Sequence, residues 1–385
     1  MAESKTYLEA KAFAKEHIAP WSTAVDKENR FATEAFQKIA EAGYLKLIIP
    51  EKYGGQGKGV VEHVDVCRAF AEEVGSVGLC YMMHNVFLWE VMGGGREELI
   101  ELICKDVVEN NALCALAHSE FITGIHFYDP HTDAKAEGDY IVINGAKSMV
   151  TSGGSAKYYS VNIPSPIAEG NDHMILELGT EGSTFELERW KNAMGMRANV
   201  SCPLKLENVR IPQSNRVEST PGTGADIELN VVVPPFVLGL AGIYTGVLKH
   251  MLDEAISHAT TRKYPSGQTI GQHDLAAYNI AEIYGRQQAC LALTNEAVRA
   301  YAAGEEDAIA KVLACRMISI DDVIDMSKLA MRIGAGAAYA GMGELSRLTR
   351  DAFGGHIMAP GADMLHLWLG RALLGDELIQ PERDI

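Results

Sequence analysis

Positive charge is scarce in this sequence. Its 385 residues include 34 lysines and arginines against 51 aspartates and glutamates, which gives a formal net charge of −17 at pH 7. Binding to nucleic-acid phosphates requires a surplus of lysine and arginine on one face of a protein. The charge balance therefore argues against a nucleic-acid partner.

Long apolar runs are also missing, and so is any targeting pattern. The most apolar stretch, residues 231–244, is interrupted by Pro234, Pro235 and glycines, and no run approaches the roughly 20 residues of a membrane span. The N-terminal sequence has neither the apolar core of a signal peptide nor the arginine-rich pattern of a transit peptide. We therefore expect a cytoplasmic protein with no membrane partner.

Cysteine pairs are missing as well. The seven cysteines are scattered between Cys67 and Cys315, and none of them belongs to a CxxC motif. An odd number at such spacing favours free thiols in a reducing compartment over a disulfide or zinc framework. No metal site is expected.

The chain has three parts that differ in their sequence pattern. Residues 1–113 are mostly of helical pattern, with a turn at Gly93-Gly94-Gly95. Residues 114–222 carry short β-rich runs between turn residues and end in a linker at 219–224. Residues 223–385 carry long helical stretches with wide apolar faces.

This order predicts an α+β fold with an N-terminal helical domain, a central antiparallel β-barrel or sandwich, and a C-terminal four-helix bundle. The predicted elements are helices at 34–42, 61–73 and 97–113, strands at 140–143, 158–161 and 174–178, and helices at 235–262, 274–302 and 307–338.

Five segments carry recognisable motifs, in a fixed order along the chain. They are Pro50-Glu51-Lys52-Tyr53-Gly54-Gly55-Gln56-Gly57, Ala115-Leu116-Ala117-His118-Ser119-Glu120, Asn144-Gly145-Ala146-Lys147 through Thr151-Ser152-Gly153, Met194-Gly195-Met196-Arg197, and Arg347-Leu348-Thr349-Arg350-Asp351-Ala352. Together they resemble the acyl-CoA dehydrogenase family over nearly the whole chain. The resemblance implies FAD as cofactor, an acyl-CoA substrate, a homotetramer and an electron-transfer flavoprotein as electron acceptor.

The resemblance also implies which residues hold the flavin. Thr151 would donate a hydrogen bond toward N5, Ser119 would reach the pyrimidine side, and Met149 replaces the usual aromatic residue beside the ring. Arg262 resembles the arginine that reaches the FAD pyrophosphate of a neighbouring subunit; its alternative role is that of a cation at a helix C-terminus. The other residues implied near the cofactor are Leu116, His118, Gly124, Gly334 and Asp363.

A glycine-rich segment of the family is altered here. Residues 331–337 stand where the family has Gln-x-x-Gly-Gly-x-Gly, and Ala335 and Ala337 replace two of those glycines. The approach of FAD to this segment would therefore be looser or shifted.

The catalytic base of the family is missing from both of its usual places. Ala359, followed by Pro360, stands where the family has Glu-Gly, and no acidic residue occurs between Glu228 and Asp253 in the early part of the first long C-terminal helix. A general base is worth about 10² to 10⁴ in rate, so a relocated base is expected.

Glu90 is the leading candidate for that base. It ends an apolar run, residues 81–90, that the resemblance places along the acyl pocket, and a buried glutamate there would have a raised pKa. Its alternative position is a solvated outer helix face. His84 and Asp363 are further candidates, and His84, Leu88 and Met358 are expected to contact the substrate.

The sequence therefore predicts FAD-dependent α,β-dehydrogenation of an acyl-CoA thioester with an unusual cyclic or branched acyl group. Two alternatives remain open. The same scaffold could catalyse another flavin-dependent reaction, such as elimination, monooxygenation or oxidation of a carrier-bound acyl group. The chain could also be a non-catalytic paralogue.

Overall fold

The N-terminal part of the chain is a layer of helices in the computed structural model, which describes residues 3–124 and 126–380. The helices of this part are α1 (Lys5–His17), α2 (Ser22–Glu28), α3 (Thr33–Glu41), α4 (Val60–Ala71), α5 (Gly75–Gly93) and α6 (Glu97–Asn110). Local signals define their ends: the Glu62 carboxylate accepts the Gly59 backbone N–H at the start of α4.

Helix α5 is the central helix of this layer. Every one of its residues is buried except Trp89, Met92 and Gly93. It ends at the predicted glycine turn, where Gly94 lets another segment approach closely. A Cβ atom at Gly94 would lie 2.2 Å from the carbonyl oxygen of Val217, and the Ser219 N–H donates to the Gly94 carbonyl at 2.8 Å. Residues 217–219 are thereby held against the end of α5.

The central part of the chain consists of two small sheets. Its strands are β1 (Cys114–Ala117), β2 (Asp133–Glu137), β3 (Tyr140–Val150), β4 (Tyr158–Pro164), β5 (Asn171–Glu177), β6 (Ser183–Phe185) and β7 (Cys202–Pro212). One sheet has the order β1-β4-β5 and the other β2-β3-β7-β6. The predicted antiparallel arrangement is wrong at one place, because β1 pairs with β4 in parallel.

The C-terminal part is the predicted helical bundle. A short helix α7 (Gly224–Ile227) runs into a π-helical turn (Glu228–Val232), and the turn runs into α8 (Val233–Thr261). The remaining helices are α9 (Asp274–Ala303), α10 (Ala308–Tyr339), α11 (Leu345–Ile357) and α12 (Ala362–Leu374). The order helical, sheet, helical therefore confirms the predicted fold class.

The stretch 224–261 is long and apolar enough to cross a membrane by composition alone. However, 83% of its most apolar window is buried inside the protein. Its apolar character is explained by its position, because α8 packs against α4, α5, α9, α10 and α11 and has little surface left for polar side chains.

Ala335 has a backbone conformation that suits glycine. Its φ is 47° and its ψ is −137°, which interrupts the helical geometry of α10. A side chain at such a position costs on the order of 1–3 kcal/mol. Glycine would adopt this conformation without strain.

We expect Ala335→Gly to stabilise the protein by about 1 kcal/mol, because the relief of strain exceeds the added freedom of the unfolded chain. Urea unfolding of the purified protein measures the change. Ala337→Gly is the matched control: Ala337 lies in the helix without a positive φ, and glycine there should destabilise by up to about 1 kcal/mol. Equal destabilisation by both substitutions would contradict the strain at position 335.

Candidate active site

A cavity of about 360 Å³ lies where the three parts of the chain meet. Its wall is built from α5, the end of β1, the end of β3, the π-helical turn with the first turn of α8, and residues 357–360. A concave, mostly apolar site at such a junction is the usual location of a ligand site.

Seven of the residues predicted from the sequence lie on this wall: Leu116, His118, Ser119, Gly124, Met149, Thr151 and Met358. The segment around Ser119 and the end of β3 are joined by a backbone hydrogen bond. The Ser148 N–H donates to the Ser119 carbonyl at 2.8 Å, so the end of β3 lies beside the segment that follows β1. Ala359 and Pro360 are also on the wall, where they bring no carboxylate.

His84 and Leu88, both on α5, are not on the wall. His84 is fully buried; its Nε2 lies 2.7 Å from the Leu45 carbonyl oxygen, and its Nδ1 accepts the Cys114 N–H. Burial lowers the pKa of His84 to about 4, so the ring is neutral and both nitrogens are used within the core. The predicted substrate contact does not fit this position. Leu88 is likewise enclosed in the core.

Arg262, Gly334 and Asp363 also lie away from the cavity. Arg262 follows the last residue of α8 and is exposed, and Asp363 is exposed in the first turn of α12. Gly334 has a packing reason of its own, since a Cβ there would lie 2.8 Å from Leu345 Cδ1. Any contact of these three residues with FAD stays a prediction.

Glu90 does not fit a direct contact with a substrate. Its side chain is 0% exposed and does not line the cavity. Its Oε1 lies 3.5 Å from His118 Nε2, so the imidazole ring stands between Glu90 and the cavity. Because α5 is buried on nearly all sides, periodicity along the helix could not indicate which face meets the cavity.

The carboxylate on the wall is that of Glu228. Its Oε2 lies 2.7 Å from His118 Nδ1, and among the described residues of the wall no other carries a carboxylate. Glu228 begins the π-helical turn, a distortion that is frequent at functional sites. Sequence reasoning missed it because Glu228 lies between the predicted linker at 219–224 and the predicted helix at 235–262, where it served only as the limit of the acid-free stretch. The available signal was that Glu228 is the last acid before the apolar run 231–244.

A second imidazole lies behind the first. The rings of His118 and His173 stack with their centroids 4.7 Å apart. His173 Nδ1 lies 2.6 Å from Glu218 Oε1 and 3.2 Å from Glu90 Oε1, and its Nε2 lies 3.5 Å from Glu228 Oε2. The residues His118, His173, Glu90, Glu218 and Glu228 are called the carboxylate–imidazole network below.

The network holds its charges by mutual contact. Burial lowers the pKa of both imidazoles, but the adjoining carboxylates outweigh burial, and the pKa of His118 and of His173 is raised. Burial raises the pKa of Glu228, but the two imidazoles outweigh it and lower that pKa to about 2. Near neutral pH the wall therefore carries an ionised carboxylate beside an imidazolium.

A separate buried ion pair supports the β-sheet side of the cavity. Lys147 Nζ lies 2.6 Å from Glu120 Oε1 and donates to the carbonyl oxygens of His118 and Asn162. Burial lowers the pKa of Lys147 to about 8 even with Glu120 beside it. The pair fastens the His118 backbone to β3.

The residues on the wall fit a flavin ring. A flavin needs hydrogen-bond donors around its polar edge and apolar surface against its faces. The wall offers the hydroxyl groups of Ser119 and Thr151, and Thr151 Oγ1 lies 3.0 Å from the hydroxyl oxygen of Ser201. Met149 leaves 56% of its surface exposed on the wall, which is the kind of apolar surface that a flat ring covers.

A helical, sheet and helical architecture around such a cavity defines a flavin-dependent oxidoreductase. Models of the acyl-CoA dehydrogenase N-terminal, middle and C-terminal domains match residues 3–110, 115–209 and 238–372. The chain belongs to the acyl-CoA dehydrogenase family. It is an FAD-dependent oxidoreductase of that type, and its substrates are acyl-CoA thioesters.

Curated relatives are similar over almost the whole chain. The probable acyl-CoA dehydrogenase FadE25 of Mycobacterium tuberculosis is 27% identical, over 94% of this chain and 93% of its own. Mitochondrial isovaleryl-CoA dehydrogenase of Pongo abelii is 27% identical (94% and 86%). Cyclohex-1-ene-1-carbonyl-CoA dehydrogenase of Geobacter metallireducens is 26% identical (94% and 95%).

Solved structures have the same fold. Butyryl-CoA dehydrogenase from Megasphaera elsdenii superposes with a TM-score of 0.88 at 21% identity, over 97% of this chain and 99% of its own. A chain from a structure described as the electron transferring flavoprotein of Acidaminococcus fermentans gives a TM-score of 0.90 at 21% identity (98% and 100%).

We expect Lys147→Met to destabilise the protein by about 3–5 kcal/mol, because it leaves the Glu120 carboxylate buried without its cation. The double variant Lys147→Met/Glu120→Gln should recover part of that loss, since no buried charge remains. The recovery is incomplete because the single oxygen of glutamine replaces only one of the two carboxylate oxygens that accept the N–H groups of His131 and Thr132. Urea unfolding of both proteins makes the comparison. Losses that simply add would show that the pair is not coupled.

Proposed function

We propose that this chain catalyses α,β-dehydrogenation of an acyl-CoA thioester with a compact branched or cyclic acyl group, and that Glu228 is the relocated base. The observation that supports the base assignment is the composition of the cavity wall. At position 359 the wall has alanine, and Glu228 supplies the carboxylate among its described residues. Glu90 acts, on this proposal, through His118 and not on the substrate.

The state of Glu228 suits proton abstraction. A base must be ionised before it can accept a proton, and the neighbouring imidazoles, which lower the pKa of Glu228 to about 2, keep it ionised at the expense of its basicity. His118, 2.7 Å away, fixes the orientation of the carboxylate. When FAD is bound, it supplies the acceptor for the hydride that leaves Cβ, while the α-proton goes to Glu228.

The apolar wall supports the exclusion of water. Leu79, Phe127 and Phe236 line the cavity together with Val232 and Val233. Removing water from the site strengthens the electrostatic interaction between the Glu228 carboxylate and the His118 imidazole that orients it. It also protects the reduced cofactor from side reactions.

The size of the cavity supports a compact acyl group. About 360 Å³ is at the low end for small-molecule sites, and on this proposal the flavin ring and the acyl group share the space. The names of two relatives, isovaleryl-CoA dehydrogenase and cyclohex-1-ene-1-carbonyl-CoA dehydrogenase, refer to branched and cyclic acyl groups. A long straight chain would not fit the same volume.

We further propose a cytoplasmic homotetramer that passes its electrons to an electron-transfer flavoprotein. Large apolar side chains on α9 support a subunit contact, because Leu275, Tyr278 and Tyr284 are each more than half exposed. The exposed Arg262 is available to a neighbouring subunit, where the FAD pyrophosphate would be its partner. One structure that contains a chain of this fold is described as an electron transferring flavoprotein, which supports such a flavoprotein as the electron acceptor.

Anaerobic titration with straight, branched and cyclic acyl-CoAs tests the reaction through bleaching of the visible flavin band. We expect compact branched or cyclic acyl-CoAs to bleach it. Glu228→Gln should slow flavin reduction by about 10² to 10⁴, because the amide cannot accept the α-proton. Stopped-flow absorbance gives the rate.

Asp226→Asn is the matched control, since it removes one negative charge from α7, two residues away, at an exposed position. Its rate should equal that of the unaltered protein. A yellow protein that no acyl-CoA reduces would overturn dehydrogenation and favour another flavin-dependent reaction. Normal reduction in Glu228→Gln would overturn the base assignment only.

Thr151→Val tests the flavin contact without reference to turnover. The valine keeps the shape of the side chain and removes its hydroxyl group, so we expect the Kd for FAD to rise about three- to tenfold. Equilibrium dialysis of the apoprotein measures it. Thr220→Val, at an exposed turn, should leave the Kd unchanged; equal effects of the two substitutions would argue against a direct contact of Thr151 with FAD.

A further inference from the structure

Three members of the carboxylate–imidazole network make no contact with the substrate in the mechanism above. Glu90, His173 and Glu218 are each 0% exposed, and none of them lines the cavity. Burying an ion costs several kcal/mol unless partners compensate it. Their presence behind the catalytic wall therefore requires a reason.

Each imidazole of the network contacts carboxylates at both of its nitrogens. Glu228 lies at Nδ1 of His118 and Glu90 at its Nε2. Glu218 and Glu90 lie at Nδ1 of His173, and Glu228 at its Nε2. Glu90 and Glu228 thus bridge the two rings from opposite edges, and the five side chains form one closed set of contacts.

The ring geometry favours a set of shared protons over a metal centre. The two rings are stacked with only 26° between their planes. A metal ion lies in the plane of each imidazole that binds it, and an ion between two stacked, nearly parallel rings does not lie in the planes of both. Among the imidazole contacts, that of His173 Nδ1 with Glu218 Oε1 has hydrogen-bond geometry, and the others are close contacts of acidic and basic groups.

The network has more acidic than basic members, because three carboxyl groups contact two imidazoles in a buried place. Four buried atoms also lack an aligned hydrogen bond: Glu90 Oε2, Glu228 Oε2, His118 Nε2 and His173 Nε2. Unsatisfied buried polar atoms are rare in native proteins. Here the two carboxylate oxygens among them are free to bind a further proton.

The charged and polar groups next to the network have other partners or carry no charge, so they do not balance its third carboxyl group. Lys147, which contacts the His118 carbonyl, is paired with Glu120. Arg216 is partly exposed and donates to the backbone carbonyl of Glu218. Asp172, next to His173 on β5, accepts the N–H of Gly222. Ser160 donates to Glu90 Oε1 at 2.7 Å but is neutral.

We propose that the five residues act as a single proton acceptor, in which Glu90, His173 and Glu218 are positioning residues that set the strength of Glu228 as a base. The proposal rests on the dehydrogenation proposed above. In the step, the substrate α-C–H bond breaks, its electron pair stays on carbon, and the proton bonds to a Glu228 oxygen. Because three carboxyl groups contact two imidazoles, the network can take up this proton without acquiring a net positive charge.

Two substitutions outside the cavity should shift the pH dependence of flavin reduction in opposite directions. Glu218→Gln removes one carboxyl group from the network, so the network binds a proton less tightly. The acidic limb of the rate–pH profile should therefore move to lower pH by about one unit or more. His173→Gln removes a positive charge, so the acidic limb should move to higher pH by a similar amount. Stopped-flow reduction of the FAD-loaded enzyme across pH gives both profiles, and the Kd for the acyl-CoA should change little.

A merely structural role would lower the rate without these opposite shifts, and that result would overturn the proposal. If either variant does not fold, Ser160→Ala provides a milder change. It removes a donor to the charged form of Glu90, so the acidic limb should move to higher pH. An unchanged profile in Ser160→Ala would count against the network.

A readout without substrate separates the two proposals. In protein with ¹³C-labelled imidazoles, NMR should show that the pKa of His118 is raised above the ordinary histidine value, and Glu90→Gln should lower that pKa. If no acyl-CoA reduces the flavin while His118 behaves in this way, the proposed dehydrogenation is overturned and the proposed coupling within the network is kept. A neutral His118 near pH 7, or one tightly bound metal ion per chain by elemental analysis, would overturn the network.

Discussion

The contact between the Glu228 carboxylate and the His118 imidazole is the constraint on which the centre of the molecule depends. It joins the π-helical turn at the start of the C-terminal helices to the segment after β1, and Glu90 connects it to α5. Because each buried ion is costly when it loses its partner, the three parts of the chain must meet in one arrangement. The close approach of residues 217–219 to Gly94 has the same effect, since it brings Glu218 to His173.

The cavity wall reflects this constraint. The usual position of the carboxylate, near the C-terminus, has alanine and proline at 359 and 360, and the negative charge enters the wall from the π-helical turn. A carboxylate in an apolar pocket is normally protonated more readily than in water. Here the imidazoles keep Glu228 ionised, and they are themselves kept charged by carboxylates further inside. Stability and chemistry at this site therefore depend on the same buried charges.

Local motifs predicted residues that line the cavity, and long-range packing could not be predicted from them. Ser119, Met149 and Thr151 all lie on the wall, because each belongs to a short motif whose strand geometry is local. His84 was expected on the wall and is instead fully bonded within the core, since α5 is buried on nearly every side and has no polar face to orient it. The parallel pairing of β1 with β4 was also not predicted, because strand direction depends on the path of the connecting chain.

The sequence by itself determined the order of helical, sheet and helical parts, the flavin and acyl-CoA class of chemistry, and the absence of a glutamate at position 359. Hydrophobic periodicity and short motifs carry that information within a few residues of chain. Only the tertiary structure decided that Glu228 lines the cavity while Glu90 stands behind His118. The physical reason is separation along the chain: residues 90, 118, 173, 218 and 228 become neighbours only when sheets and helices pack together, and no local pattern records which of their charges will be paired.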